Sequence, residues 1–357
     1  MIFRLYIWRF LNSIYVQMIV DLRSDTVTKP TPAMLERMFA APVGDDVFQE
    51  DETVQELEER TATLFGHQAG LFCPSGTMTN QLAIKVHTFP GSEVICDKKS
   101  HIYLYEGGGV ASNSLSSMKL LEGNYGRITA AQVKEAINNP QDIHQPITSL
   151  VSLENTMNKG GGAYYTLESI REIREVCTAH QLPLHLDGAR LFNALVETKD
   201  SPEEVGKEFD SISICFSKGL GCPVGSVLVG SKEFILKARR HRKAMGGGMR
   251  QAGFLAAAGL YALENHIDRL KEDHIRAQKI GEALKKAAFV KQILPIETNI
   301  VIFELNDDIV PTLFLELLYK KGIKAVSFGG QYIRFVTHLD FNDDQLAYVC
   351  THLTTLI

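Results

Sequence analysis

The chain has 357 residues, of which 45% are apolar and 22% charged, with 28 glycines and 12 prolines. This mix excludes a disordered or collagen-like chain, and the length has room for about two domains of roughly 150 residues each. With 37 basic against 42 acidic residues the net charge is −5, which speaks against broad electrostatic docking on nucleic acid or an anionic membrane. The cysteines, at 73, 96, 177, 215, 222 and 350, stand singly. No Cys-x-x-Cys pair occurs, so neither a metal site nor a disulfide framework is indicated, and a reducing cytoplasm is the simplest compartment.

Residues 1–20, MIFRLYIWRFLNSIYVQMIV, are strongly apolar, but Arg4 and Arg9 interrupt them and Asn12, Ser13 and Gln17 dilute the rest. A spanning helix needs about 20 apolar residues with few charges, and no small-residue cleavage site follows. Residues 1–17 therefore read as a leader outside the fold, with Met18 opening the first orderly segment, IVDLRSDTVT. From about residue 50 helix-like and strand-like segments alternate. DETVQELEERTATLFG carries Val54, Leu57, Leu64 and Phe65 at helical spacing behind an acidic first turn. AGLFC reads as a short buried strand and SGTMTNQLAIKVH as a helix entered through Ser-Gly-Thr. SEVIC, ITSLVSLE, LPLHLD, SISICFS and GSVLVG are further short apolar runs, with helical stretches such as LESIREIREVCTAH between some of them. This alternation predicts an α/β fold with a mainly parallel sheet covered on both faces. A charged helical region over about 262–290 follows, then TNIVIFEL, a helix near 311–321, KAVSF, QYIRFVTHL and a closing helix. The pattern divides the chain into a large domain over 18–270 and a smaller α+β domain over 271–357. Gly triplets at 107–109, 160–162 and 246–248 each lie near a candidate site residue.

Ligands of open α/β sheets bind at the carboxyl ends of the strands, and two strand ends here are chemically loaded. Asp187 closes LPLHLD and Lys218 follows SISICFS. Either alone would read as a solvated or ion-paired side chain. Together they suit pyridoxal phosphate, which needs a lysine to form its imine and a carboxylate to keep its ring nitrogen protonated. A lysine leaving an apolar strand is expected to lose its proton more easily. Pro74-Ser75-Gly76-Thr77, between a strand and a helix, offers free N–H groups and a positive helix end to a phosphate, although Ser and Thr are also ordinary N-caps. His101 follows the strand SEVIC and suits stacking or proton transfer. His144 lies in the polar turn NPQDIHQP, Arg334 on QYIRFVTHL, Lys243 at the end of RRHRK and Arg250 after GGGM. Spacing alone leaves these open between solvated side chains and ligand contacts. An Arg such as Arg334 can clamp a carboxylate bidentately.

In order along the chain, VDLRSDTVT, APVGDDVFQEDETV, PSGTMTNQLA, SHIYLYEGGG, LENT, LHLDGARLFNA, SICFSKGLGCPVGSVLVG, RKAMGGGMRQAGFLAAAGLYAL, TNIVIFEL and IRFVTHLD make up a distinctive set. In this set the chain resembles the low-specificity L-threonine aldolases, which are fold-type I, aspartate aminotransferase-like pyridoxal-phosphate enzymes. The likeness covers essentially everything from Ile19 onward. It implies a large domain with a mainly parallel seven-stranded sheet and a small C-terminal α+β domain. The activity it implies is Cα–Cβ cleavage of L-threonine or L-allo-threonine to glycine and acetaldehyde. It also implies a cytoplasmic homotetramer, a dimer of dimers with shared sites, serving threonine breakdown and glycine formation.

The resemblance assigns Lys218 as the Schiff-base lysine, Asp187 to the pyridine nitrogen, and Arg190 to the cofactor's phenolic oxygen and the substrate carboxylate. Gly76 and Thr77 match the phosphate cradle, His101 the histidine stacked on the ring, and His144 a second histidine on the substrate side. Ser24 and Arg334 match the carboxylate clamp, and Lys243 and Arg250 match residues that complete a neighbouring subunit's phosphate site. It assigns no metal. The family's Leu-Glu-Asn-Thr-His-Asn is departed from at Met157, which cannot titrate. Other pyridoxal enzymes, an aminotransferase or a racemase, share Lys218 and Asp187, as does a non-catalytic pyridoxal-binding scaffold. A nicotinamide-dependent dehydrogenase lacks its Gly-x-Gly-x-x-Gly here.

Overall fold

The computed structural model describes residues 18–356; the leader expected over 1–17 lies outside the described residues. The central sheet has seven strands: β2 (Ala69–Cys73), β3 (Glu93–Asp97), β4 (Ser117–Leu121), β5 (Thr148–Glu154), β6 (Leu184–Gly188), β7 (Ser211–Cys215) and β8 (Ser226–Gly230). Their spatial order is β2-β8-β7-β6-β5-β3-β4, and only β8 runs against its neighbours. Every residue of β3, β5, β6, β7 and β8 is buried. Burial on both faces is why these strands read as near-continuous apolar runs. Parallel direction has a functional consequence: β3, β5, β6 and β7 all deliver their carboxyl ends to the same edge of the sheet.

Strand β4 was not foreseen. It is an edge strand with Ser117 and Leu120 exposed, so it lacks the apolar run that marked its neighbours. The charged region expected as one helical stretch is broken instead. One helix ends at Asn265 and the next spans Leu270–Leu284. Between them the ring of His266 hydrogen-bonds the Leu220 carbonyl at 2.8 Å, a tertiary contact no local pattern reports.

The C-terminal layer is an antiparallel sheet of order β12-β13-β10-β9, from β9 (Val290–Ile293), β10 (Ile300–Leu305), β12 (Val326–Ser327) and β13 (Tyr332–Val336). Its core is aromatic, with Phe289 against Phe314 at 4.8 Å between centroids and Phe303 against Phe335 at 5.3 Å. Val20 and Leu22 are buried in this same core. The short strand β1 (Val20–Asp21) pairs in parallel with β11 (Ile323–Lys324). The start of the described chain is therefore stitched to its far end, and the segment that follows, Ser24–Thr28, is held over the carboxyl edge of the main sheet. Among the described residues no helix is long and apolar enough to cross a membrane.

The Gly triplet at 160–162 is packed, not loose. A Cβ on Gly160 would stand 1.9 Å from the Tyr125 carbonyl oxygen. Backbone cannot yield as a side-chain tip can, so Gly160→Ala is expected to destabilise by about 1–3 kcal/mol. Urea unfolding of the variant, with unchanged stability as the contrary outcome, measures this.

Candidate active site

The strand ends converge on a cavity of about 270 Å³, whose lining includes Ser24, Ser75, Gly76, Thr77, His101, Asp187, Arg190, Lys218 and Arg334. A larger groove, about 650 Å³, lies against the helix Pro311–Lys320, but it gathers no comparable set of reactive groups. At one side of the cavity starts the helix Gly76–His87, with Ser75 as N-cap accepting from the Met78 N–H at 3.2 Å. The first N–H groups of a helix have no intrahelical partner, and the positive helix end favours an anion. A Cβ on Gly76 would meet Ser226 and Cys215 at 3.6–3.9 Å, so packing within the chain does not by itself demand glycine there.

Lys218 lies three residues beyond β7, fully within the site. Its Nζ donates to Cys215 Sγ at 3.3 Å. Burial pushes the amine's pKa down, as the sequence suggested, but Cys215, Asp187 and Asp25 more than offset this against Arg190, leaving it above its ordinary value. Burial raises the Cys215 thiol in turn, and Lys218 and Ser217 draw it below its ordinary value. The direction is opposite to the easy proton loss expected from burial alone. Asp187, on β6, accepts from Asn80 Nδ2 at 2.9 Å and from the Ala189 N–H at 3.1 Å.

Arg190 does not present an open fork to the cavity. Its Nε and Nη2 each bond Asp25 at 2.7 Å, and both side chains are buried. Burial alone would raise the Asp25 carboxyl; the Arg190 charge and hydrogen bonds reverse this and bring it to about 2. Arg334 is the better-placed cation for a ligand carboxylate. It donates to Asn158 Oδ1 at 2.7 Å and to the Arg23 carbonyl at 2.9 Å, and stands 4.7 Å from the Phe328 ring centre. Its buried Nε has no partner among the described residues. Burial and the nearby Arg190 charge lower it to about 10, so an incoming anion would relieve a cation already under strain.

His101 opens the helix His101–Leu104. Its backbone N–H bonds Glu154 Oε2 at 2.7 Å, while Asn158 N–H bonds the other oxygen at 2.9 Å. Glu154 faces Asp187 across the β5–β6 pairing. Burial and that neighbouring charge push it up to about 7. Sequence reasoning did not single out Glu154, Asn158, Cys215 or Ser217, all of which line the cavity. The first two sit in LENTMN, a motif noted for its odd methionine, and the last two come three residues and one residue before the lysine. Only strand register reveals that they share a wall with Asp187.

Three expected residues are not brought to this cavity by their own chain. His144 sits on an exposed turn where its N–H bonds Asp142. Lys243 is exposed, and Arg250 is exposed and paired with Asp45 at 2.9 Å. Met157 is fully buried and lies outside the cavity lining. It packs so closely on Gly126 that a Cβ there would fall 2.2 Å from its Cε. Methionine at this position is a core filler.

A buried lysine amine, a carboxylate on the adjoining strand, a helix start rich in N–H groups and a cation whose Nε has no partner among the described residues form a donor set that fits an aldehyde-bearing pyridine phosphate and an amino acid. Residues 21–308 match the beta-eliminating lyase family. The chain is 42% identical over 334 residues to the low specificity L-threonine aldolase of Escherichia coli K12, covering 93% of this chain and 98% of that one. It is 39% identical to low-specificity L-threonine aldolase 1 of Arabidopsis thaliana, covering 92% and 94%. The chain belongs to the low-specificity L-threonine aldolase family. The structure of Leishmania major threonine aldolase superposes with a TM-score of 0.82 over 94% of this chain and 99% of that one, at 20% identity. The threonine aldolase fold thus persists where most side chains have changed.

Glu154 gives this family member a measurable pH signature. Its folded pKa of about 7 exceeds the ordinary 4.5, so the stability it contributes is complete below the lower value and lost as pH rises through the upper. The melting temperature of the cofactor-free protein should fall over that window, and Glu154→Gln should flatten the fall. A variant with the wild-type slope would contradict this.

Proposed function

We propose that the protein is a pyridoxal 5′-phosphate-dependent aldolase, a carbon–carbon lyase that cleaves L-threonine and L-allo-threonine to glycine and acetaldehyde. The observation that carries the reading is that Lys218, Asp187 and Arg334, whose Nε has no partner among the described residues, line one cavity. Pyridoxal phosphate, when bound, supplies an acceptor for the electron pair released at Cα.

The chain's own residues do the rest. Lys218 would be the covalent anchor, its amine giving way to that of the substrate. Asp187, fixed by Asn80, would hold a proton on the ring nitrogen. Gly76 and Thr77 would hold the phosphate at the helix start. Arg334 and Ser24 would take the substrate carboxylate, and Arg190, braced by Asp25, would keep a positive charge near the carboxylate and the phenolic oxygen. His101, or a water it holds, would take the β-hydroxyl proton as the Cα–Cβ bond breaks and the aldehyde leaves, and a proton returned to Cα would give glycine. General-base action of this kind is worth about 10²–10⁴-fold.

His144, Lys243 and Arg250 are all on the surface of one subunit, so they reach a site only across an interface. Exposed aromatic surface on the same subunit supports one. Phe39 is 80% exposed and Phe48 69%, and Arg250 lies over the Phe48 ring at 5.8 Å. We therefore take the active form to be a homotetramer with shared sites. Its six unpaired cysteines support a cytoplasmic setting, and its products support a role in threonine breakdown and glycine supply.

Incubation with L-threonine and L-allo-threonine should release acetaldehyde and glycine in equal amounts, with no transamination of pyruvate. Lys218→Ala should lose both the visible absorbance of bound cofactor and turnover; retained cleavage would sink the assignment. Sedimentation should find a tetramer, and an active monomer would remove the shared-site reading.

A further inference from the structure

The proposed base is itself held by a buried carboxylate. Glu106 lies in the turn after the helix His101–Leu104, and its side chain is completely buried. Its Oε1 accepts from His101 Nδ1 at 2.9 Å and from Asn80 Nδ2 at 2.9 Å, and its Oε2 accepts from Gln81 Nε2 at 2.6 Å. The second hydrogen of the same Asn80 amide goes to Asp187 Oδ2 at 2.9 Å. The Asn80 carbonyl oxygen is occupied as well, by His185 Nε2 at 3.2 Å. An ionised carboxylate only accepts. Nδ1 of His101 must therefore carry the hydrogen, and Nε2 is the ring nitrogen left with a lone pair. Orientation of an imidazole by a carboxylate at its second nitrogen is a known way to prepare a base.

We infer that Glu106 is a positioning residue that fixes His101 as an Nε2 base, and that the Asn80 amide yokes it to Asp187, so that one side chain holds both the proton-accepting arm and the ring-nitrogen arm of the site. Nothing in the motif around His101 marks Glu106, because the bond runs through a turn and onto a neighbouring helix. This inference deepens the aldolase reading and rests on His101 being the base.

The groups facing His101 are Glu106 from the turn, Asp187 from β6 and Glu154 from β5, with the Tyr105 ring 5.6 Å away. Lys218, Arg190 and Arg334 line the same cavity. Burial lowers the imidazole's proton affinity, and the three carboxylates, Glu106 foremost, reverse this and set it above the ordinary 6.5.

Two variants separate the effects. Glu106→Leu removes charge and acceptors at similar volume, whereas Glu106→Gln loses the charge but keeps one acceptor oxygen, its amide nitrogen now facing a donor such as Gln81 Nε2. In cofactor-free protein, NMR titration of His101 should shift downward by about one pH unit in each variant. In the holoenzyme, Glu106→Leu should lower kcat for L-threonine about 10²-fold while the absorbance of bound cofactor persists. Glu106→Gln should lower kcat less and move the acidic limb of kcat/KM to lower pH. Asn80→Ala should move both the His101 titration and the affinity for pyridoxal phosphate. An unmoved His101 titration in Glu106→Gln overturns the pairing, and that measurement decides even where Glu106→Leu does not fold. A wild-type kcat in folded Glu106→Leu overturns the positioning role, and a change in only one readout of Asn80→Ala overturns the yoke. A wild-type protein that cleaves no β-hydroxy amino acid would end the aldolase reading, while the NMR titration still decides the Glu106–His101 pair.

Discussion

The buried ion pair between Asp25 and Arg190 is the joint on which the site is built. Two hydrogen bonds of 2.7 Å tie the N-terminal segment to the carboxyl end of β6. Asn299, at the entry to β10, adds a third bond to Asp25 at 3.3 Å and a bond to the Thr337 carbonyl beyond β13 at 3.0 Å. Charges this deep are tolerated only when paired and hydrogen-bonded in good geometry. Removing either partner strands the other, which is why such a pair constrains position so strongly. The pair therefore locates the small layer relative to the large sheet. It also brings Ser24 and Arg334 over the strand ends that carry Asp187 and Lys218.

Around that joint the cavity is organised by carboxylates that bind main chain as often as side chain. Glu154 takes the N–H groups of His101 and Asn158, and Asn158 in turn takes Arg334. One buried acid thus sets both the histidine wall and the arginine wall. Three cations, Lys218, Arg190 and Arg334, face this acidic floor. Their charges offset one another unequally. Arg190 has its own carboxylate, Lys218 has a thiol, and among the described residues Arg334 hydrogen-bonds only to neutral groups. Among the described residues, Arg334 is thus the one of the three with no ion-paired or thiol partner, and the net charge of −5 gives no hint of it.

The large sheet was legible in sequence because its strands are buried on both faces and so are written as apolar runs. Strand β4 was not legible, since an edge strand with one wet face carries no such run. Lys218, Asp187, Gly76 and Thr77 were found because chemistry-bearing residues directly after an apolar run stand at a strand end or helix start. His101 was found the same way. Glu106, Asn80, Glu154 and Asn158 were not, because each acts through a contact with another strand or helix. The aspect of Arg190 that matters, its commitment to Asp25, is separated by 165 residues along the chain. The methionine at 157 looked like a loss of chemistry, and the fold buries it against Gly126, outside the cavity lining.

Sequence alone determined the fold class, most of the sheet's strands in their order, and the two strand ends that bring Lys218 and Asp187 to one cavity. Periodicity and local position carry that information, and the family's motifs recur in order. Tertiary structure alone decided which groups share a wall, which cation among the described residues lacks a partner at Nε, which groups surround the lysine amine and which nitrogen of His101 is bound to a carboxylate. These follow from register between strands and from burial. A lysine after an apolar strand reads as easily deprotonated until a thiol is found 3.3 Å away. A histidine reads as ambiguous until a carboxylate from the next turn holds one of its nitrogens.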